Sequence, residues 1–238
     1  MGRAFEFRKE RKMKRWASMA KTFTKIGREI AIAVKEGGGA PEYNPRLRMA
    51  IQNAKSANMP KTNVDSAIKR ALAKDSANYD EITYEGYGPA GIAVVVETAT
   101  DNTNRTVANL RLIFSKGGGN LGNSGEVDYM FSRKGQFKLK AEGLDQEELE
   151  LELIDHGLED LKHEDEFFVL LCAFEDFGKL QKALEERNIE LDNAELIRIP
   201  SHTKELTDEQ AEAMIKLLDK LEEDEDVINV FHNMDMSE

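Results

Sequence analysis

The sequence predicts an α+β, multi-domain protein, and two observations carry that expectation. Up to Lys74 the apolar residues recur every three or four positions, the period of a helical face; from Asp80 onward short alternating runs take over, separated by helical stretches. Charge divides the chain at the same places. Residues 1–74 hold 18 Lys/Arg against 6 Asp/Glu, residues 75–143 hold 7 against 9, and residues 144–238 hold 8 against 30, giving +12, −2 and −22 within an overall charge of −12.

The first helix is written between Lys14 and Val34. Trp16, Met19, Phe23, Ile26, Ile30 and Val34 form its apolar face, and Lys14, Lys21, Lys25, Arg28 and Lys35 recur on the opposite side. At 100° per residue, packing the first set inward aims the second outward, and Gly37-Gly38-Gly39 ends the helix. Asn44-Pro45 opens a second helix as N-cap and first helical residue, with Leu47, Ile51 and Ala54 inward and Pro60 as its stop. Thr62-x-x-Asp65 reads as the capping box of a third helix; Val64, Ile68, Ala71 and Leu72 face inward, Lys69 and Arg70 outward.

The next segments read as strands over 82–89 and 92–98, a helix over 103–116, a glycine loop over 117–125, and strands around 127–131 and 136–140. A helix over 145–155, a strand over 166–173, a helix over 178–187, a strand over 195–200, a helix over 208–221 and a strand over 227–232 follow. That rhythm suggests two small ferredoxin-like α+β domains, each a sheet with helices on one face. The last helix and strand complete the first sheet, so the third domain is inserted in the second. The expected domains are 1–76, basic and helical; 77–134 with 206–238, central; and 135–205, acidic.

Forty per cent hydrophobic and 33% charged residues suit a soluble globular chain. The longest apolar run, residues 167–174, falls far short of the roughly 20 residues of a membrane helix. Glu6, Glu10, Glu29 and Glu36 interrupt the basic start, unlike an organelle transit peptide. A cytoplasmic protein is expected, with Cys172, the single cysteine, as a buried thiol.

The basic helical domain is the strongest functional signal, because Lys and Arg that neutralise phosphates bind nucleic acid in a salt-dependent and largely sequence-independent way. Docking of this head on the chain's own acidic tail is the competing account. Arg105 lies in the first turn of its helix, where the dipole disfavours a cation; a phosphate and a carboxylate such as Asp101 or Asp128 are both candidate partners. The glycine loop follows a helix and leads to a strand, the reverse of a phosphate-cradling loop, so a helix C-cap with a connection is expected. His156, His163, His202 and His232 lack metal-site spacing, and the run Glu222-Glu-Asp-Glu-Asp226 lacks a calcium-loop pattern and reads as a solvated helix end. No constellation supports an enzyme, a metal or another cofactor.

The chain resembles the YebC/PmpR family, which also contains the mitochondrial translational activator of cytochrome c oxidase. The resemblance rests on Phe23-Thr-Lys-x-x-Arg-Glu-Ile30, Glu36-Gly-Gly-Gly39, Asn44-Pro-Arg-Leu-Arg48, Ala54-Lys-x-Ala-Asn-Met-Pro-Lys61, Tyr84-Glu-Gly-Tyr-Gly-Pro89, Asn104-Arg-Thr106, Phe114-Ser-Lys-Gly-Gly-Gly-Asn-Leu-Gly122 and Tyr129-Met-Phe131. The family's usual start, Gly-His-Ser-Lys-Trp, is replaced by Gly2-Arg-Ala-Phe-Glu-Phe-Arg8. The resemblance implies three domains around a cavity and a non-enzymatic role, either as a cytoplasmic DNA-binding transcriptional regulator or as a factor that acts on the ribosome and relieves stalls at sequences such as proline runs. The expected phosphate contacts are Lys14, Lys21, Lys25, Arg28 and Lys35, supported by Arg46, Arg48, Lys61, Lys69 and Arg70, with Arg105 a further candidate. The expected partner is promoter DNA or ribosomal RNA, with ribosome or polymerase contact through the acidic domain and neither membrane nor small-molecule substrate.

Overall fold

The computed structural model describes residues 19–236. Helix α1 (Met19–Gly37) is followed by a 3₁₀ turn at Pro41–Tyr43, α2 (Pro45–Ser56) and α3 (Lys61–Ala71). The start of α2 follows its sequence signal: Asn44 Oδ1 accepts from Leu47 N at 3.0 Å, with Pro45 in the first helical position. The same side chain donates through Nδ2 to the carbonyls of Ala33 and Gly38 at 2.7 and 2.8 Å. One buried amide thus caps α2 and ties it to the end of α1. The expected capping box of α3 is not formed. The helix begins at Lys61 with Pro60 in the cap position, so Thr62 is already helical and has no exposed amide to cap.

Strands β1 (Asp80–Tyr87) and β2 (Ala93–Thr100) pair as an antiparallel hairpin through a 3₁₀ turn at Pro89–Gly91. Then come α4 (Thr103–Lys116), the two-residue β3 (Asn120–Leu121), a 3₁₀ turn at Asp128–Met130 and β4 (Phe131–Lys140). The chain continues through α5 (Gln146–Ile154), β5 (Leu158–Glu164), β6 (Phe167–Ala173), α6 (Phe177–Glu186), β7 (Leu191–Pro200), α7 (Asp208–Glu223) and β8 (Val227–His232). Asn102, Asp145 and Thr207 cap α4, α5 and α7 with their side chains, and Thr207 does so in a full capping box with Gln210.

Two differences from the sequence expectation have local causes. The expected strand at 127–131 is instead the turn at Asp128–Met130, because the Glu85 carboxylate takes the Val127 and Asp128 amides that a strand would have paired. Strand β5 was not expected at all. A bulge between Leu158 and Asp160 spaces its two buried residues, Leu158 and Leu161, three apart and breaks the alternation that marks a strand.

Among the described residues, 19–28, 77–132 and 200–236 form one compact unit, and residues 29–76 and 133–199 form another. In the first unit the sheet runs β3-β1-β2-β8, so the last strand of the chain completes the sheet that the first hairpin begins, and the acidic α+β domain is inserted within it. Helices α4 and α7 cover one face through Leu110, Phe114, Met214, Leu217 and Leu218 against Val94 and Val96. Ala93, Val95, Val127 and Phe131 form a smaller cluster on the other side of β2, which explains why β2 is a continuous apolar run.

In the second unit the sheet runs β5-β6-β4-β7, the strand order of a βαββαβ ferredoxin-like domain. Leu149 and Leu153 of α5 and Leu180 and Leu184 of α6 pack on Phe137, Leu139, Phe168 and Leu170. Cys172 lies in this core, where burial pushes its thiol up to about 11. The edge strand β7 is met by α2: the Asn53 amide donates to Ala194 O at 2.8 Å and accepts from Ala194 N at 3.1 Å, and Gln52 donates to Leu191 O. These side chains occupy backbone groups that a foreign strand would otherwise pair with.

Candidate nucleic-acid interface

The buried side of α1 is formed by Ile26, Ile30, Ala33 and Val34, as its periodicity requires. The cationic side is not uniformly outward. Lys21 is exposed, Lys25 is half-buried with Nζ donating to Ile228 O at 3.3 Å, and Lys35 is exposed and donates to Ser76 O at 3.4 Å. Arg28 turns inward. Its guanidinium donates to Asp226 Oδ1 at 3.0 Å, to Ala99 O at 2.9 Å and to Glu225 O at 2.5 Å, and lies over the Tyr79 ring. Lys14 lies outside the described residues.

Asp226 collects two of the candidate cations. Besides Arg28 it accepts from Arg105 Nη2 at 2.8 Å and Nε at 3.2 Å, and from Thr106 Oγ1 at 2.8 Å; Arg105 also reaches Asp101 Oδ1 at 2.8 Å. Asp226 is only 3% exposed. Its burial works to raise the carboxyl, but the hydrogen bonds from Arg105 and Thr106 and the charges of Arg105 and Arg28 outweigh it and hold the group below the ordinary carboxylate range. The hydrogen bonds to Asp226 and Asp101 keep the Arg105 guanidinium firmly charged. Arg28 and Arg105 are thus partners of an internal carboxylate in this structure, although the Arg105 side chain stays 45% exposed. The expectation that the acidic run at 222–226 is a solvated helix end is corrected, since its last member is buried. The first-turn cation at Arg105 is explained by a carboxylate 121 residues away in sequence, which no local spacing encodes.

The supporting cations divide in two. Arg46 pairs with Glu36 at 2.7 Å, and Arg48 pairs with Glu185 at 3.3 Å while donating to Pro41 O at 2.9 Å. Docking of the basic head on the chain's own acidic tail is thus realised at Arg48 with Glu185 and at Lys55 with Glu190, whereas Arg46 is paired within the head. Helix α3 is different. Val64, Ala67 and Ala71 face inward, which leaves Lys61, Lys69 and Arg70 exposed with no ion-pair partner among the described residues. Lys74, just beyond the helix, is exposed in the same way and was not singled out by sequence, although it ends the basic segment. Leu72 at the C-cap is 61% exposed beside these cations. Unspent positive charge next to exposed apolar surface can hold a polyanion that also presents an apolar face.

The glycine loop after α4 is built around a buried acid that sequence reasoning did not single out. Glu85, 4% exposed, accepts from Gly125 N at 2.6 Å, Val127 N at 2.7 Å and Asp128 N at 2.8 Å. Gly117 caps α4, as expected, and a Cβ on Gly119 would collide with Tyr87 O. Gly119 thus serves close approach to β1, while Gly118 and Gly125 supply positive φ at +78 and +82.

Residues 3–74 match the family described as TACO1/YebC protein N-terminal domain, and residues 79–234 match TACO1/YebC second and third domain. The chain is 57% identical over 235 residues to a "Probable transcriptional regulatory protein" of Parabacteroides distasonis, covering 98% of this chain and 97% of that one. It is 56% identical over 234 residues to a protein of the same name from Flavobacterium johnsoniae, covering 98% and 99%. A crystal structure of a conserved hypothetical protein, Aq1575, from Aquifex aeolicus superimposes with a TM-score of 0.82 at 40% identity, covering 93% of this chain and 92% of that one. Among the described residues no helix is long and apolar enough to cross a membrane.

Proposed function

Since this chain belongs to the YebC family, we propose that it is a non-enzymatic, cytoplasmic regulator of gene expression that binds nucleic acid through the exposed cations of α3 and its flanks. The observation that carries this is the contrast in pairing: Lys61, Lys69, Arg70 and Lys74 are exposed without a carboxylate partner among the described residues, whereas Arg28, Arg46, Arg48 and Arg105 already have one. Such cations position a phosphate backbone without reading its sequence.

Promoter DNA is favoured by the connection between α2 and α3. Four residues, 57–60, join the helices, with Asn58 in the left-handed region at φ +57, the length and backbone that a helix-turn-helix uses. Asn63, exposed in the first turn of α3, is of the type that reads adenine. The names of the relatives point the same way. Ribosomal RNA would meet the same cations through its phosphates. Crosslinking the protein in cells and sequencing the attached nucleic acid separates the two: enrichment of promoter fragments is the expected result, enrichment of ribosomal RNA replaces DNA as the target, and recovery of neither removes the assignment.

A further inference from the structure

The second face of the ferredoxin-like sheet carries a pattern that neither the charge map nor the helical site accounts for. Helices α5 and α6 both pack on the face bearing Phe137, Leu139, Phe168 and Leu170. The register fixes what lies on the other face, because directly paired residues point to the same side. Lys134, Gln136, Lys138 and Lys140 of β4 stand opposite Ala173, Leu171, Val169 and Phe167 of β6, which stand in turn opposite Asp160, Lys162 and Glu164 of β5. Four lysines thus share one side with the carboxylates of Glu159, Asp160 and Glu164, in a domain whose sequence from residue 144 onward is strongly acidic. Lys134 pairs with Glu159 at 2.5 Å and Lys162 with Asp160 at 3.3 Å, while Lys138 and Lys140 form no ion pair among the described residues. On the apolar part of the face Val169 is buried, while Phe167 and Leu171 on either side of it keep part of their surface, and the Lys138 ammonium sits 3.9 Å from the Phe167 ring centroid.

We propose that this face binds unpaired nucleotides, with Phe167 as the stacking platform and Lys138 and Lys140 as phosphate contacts. The proposal shares with the preceding section only the premise that the ligand is nucleic acid; the surface is separate from α3. A four-stranded sheet that offers an aromatic ring on its third strand and cations on its neighbouring first strand meets the two needs of a single strand, a flat apolar surface for a base and positive charge along the backbone. A duplex cannot use the ring, since its bases are already stacked and paired. The cation–π contact marks the exchange that binding requires. The Lys138 ammonium leaves the ring for a phosphate while a base takes its place, and stacking of a base on an aromatic ring is the stronger of the two ring contacts. Lys140, exposed at the end of β4 and opposite Phe167, extends the phosphate track past the same ring.

The test uses the full chain and fluorescence anisotropy with labelled oligo(U), oligo(dT) and a DNA duplex. Phe167→Leu keeps apolar bulk and removes the ring; it is expected to weaken both single strands about tenfold and to leave their salt slope unchanged. Lys138→Ala with Lys140→Ala is expected to lower the slope of log K against log salt by about 1.4, at about 0.7 per phosphate neutralised on a single strand. The latter variant alters only side chains of the open face and remains informative should Phe167→Leu fold poorly. Single-strand affinity and slope unchanged in both variants, or an equal weakening on the duplex, overturns the proposal. Lys69→Glu with Arg70→Glu serves as the control for the helical site: loss of duplex binding there, with single-strand binding retained, keeps the two surfaces apart, so failure of either assignment is seen independently.

Discussion

Helices α1 and α3 both present cations on the side away from their apolar face, yet the protein uses the two sets in opposite ways. On α1, Arg28 is 12% exposed and shares the 4%-exposed carboxylate of Asp226 with Arg105. On α3, Lys61, Lys69 and Arg70 point to solvent with no carboxylate to meet them among the described residues. Residue type and helical period are the same; the difference lies in what tertiary structure brings opposite. A buried guanidinium beside a buried carboxylate is a fastener, because leaving either alone in a low-dielectric site is costly. An exposed lysine gains little from any one neighbour and stays available to a ligand.

The comparison breaks most visibly at Asp226. Asp226→Asn leaves Arg28 facing a neutral amide, and a loss of about 3 kcal/mol of unfolding free energy is expected, read by chemical denaturation. The pH dependence has a definite sign. The folded carboxyl is held below its ordinary value, so its contribution is complete above the unfolded pKa of about 4 and fades as pH falls through the lower folded value. The gap between the parent protein and Asp226→Asn should therefore be widest near neutrality and narrow below about pH 4; a gap that persists unchanged into acid contradicts the ion-pair account.

A smaller effect is expected at Asn44, which fastens α1 to α2 without any charge. Asn44→Ala removes the cap on Leu47 N and two carbonyl contacts, and a loss of about 1–2 kcal/mol is expected in the same measurement, with no dependence on salt. A salt-sensitive loss would mean that the amide matters through the neighbouring charges instead. Between these two sites the comparison sharpens into a rule for this chain: buried polar fasteners set its stability, and exposed cations do not.

Much of the fold was legible because its signals are local. The Asn44-Pro45 start of α2, the Gly117 end of α4 and the closing strand at Val227–His232 all depend on neighbouring residues. Elements set from afar were not. The turn at Asp128–Met130 depends on Glu85, some 40 residues earlier, and β5 is disguised by its bulge. The candidate site divides along the same line. That the basic segment carries cations on helical faces is written in its period, but Asp226 lies 198 residues from Arg28, and nothing in the spacing of Lys14, Lys21, Lys25, Arg28 and Lys35 announces that one member is taken. The lysines of β4 escaped notice for a related reason. They belong to the near-neutral middle of the sequence, and only the strand register gathers them on one face.

The smallest expected change in stability accompanies the most decisive change in binding. Lys69→Ala with Arg70→Ala should leave the unfolding free energy within about 0.5 kcal/mol of the parent. Titration of a DNA duplex across a range of salt is the direct test of the claim that α3 offers the free cations. The account predicts weaker binding to every sequence and a slope of log K against log salt reduced by about 1.8, at about 0.9 for each phosphate that is no longer neutralised. An unchanged affinity and an unchanged slope in this variant would contradict it.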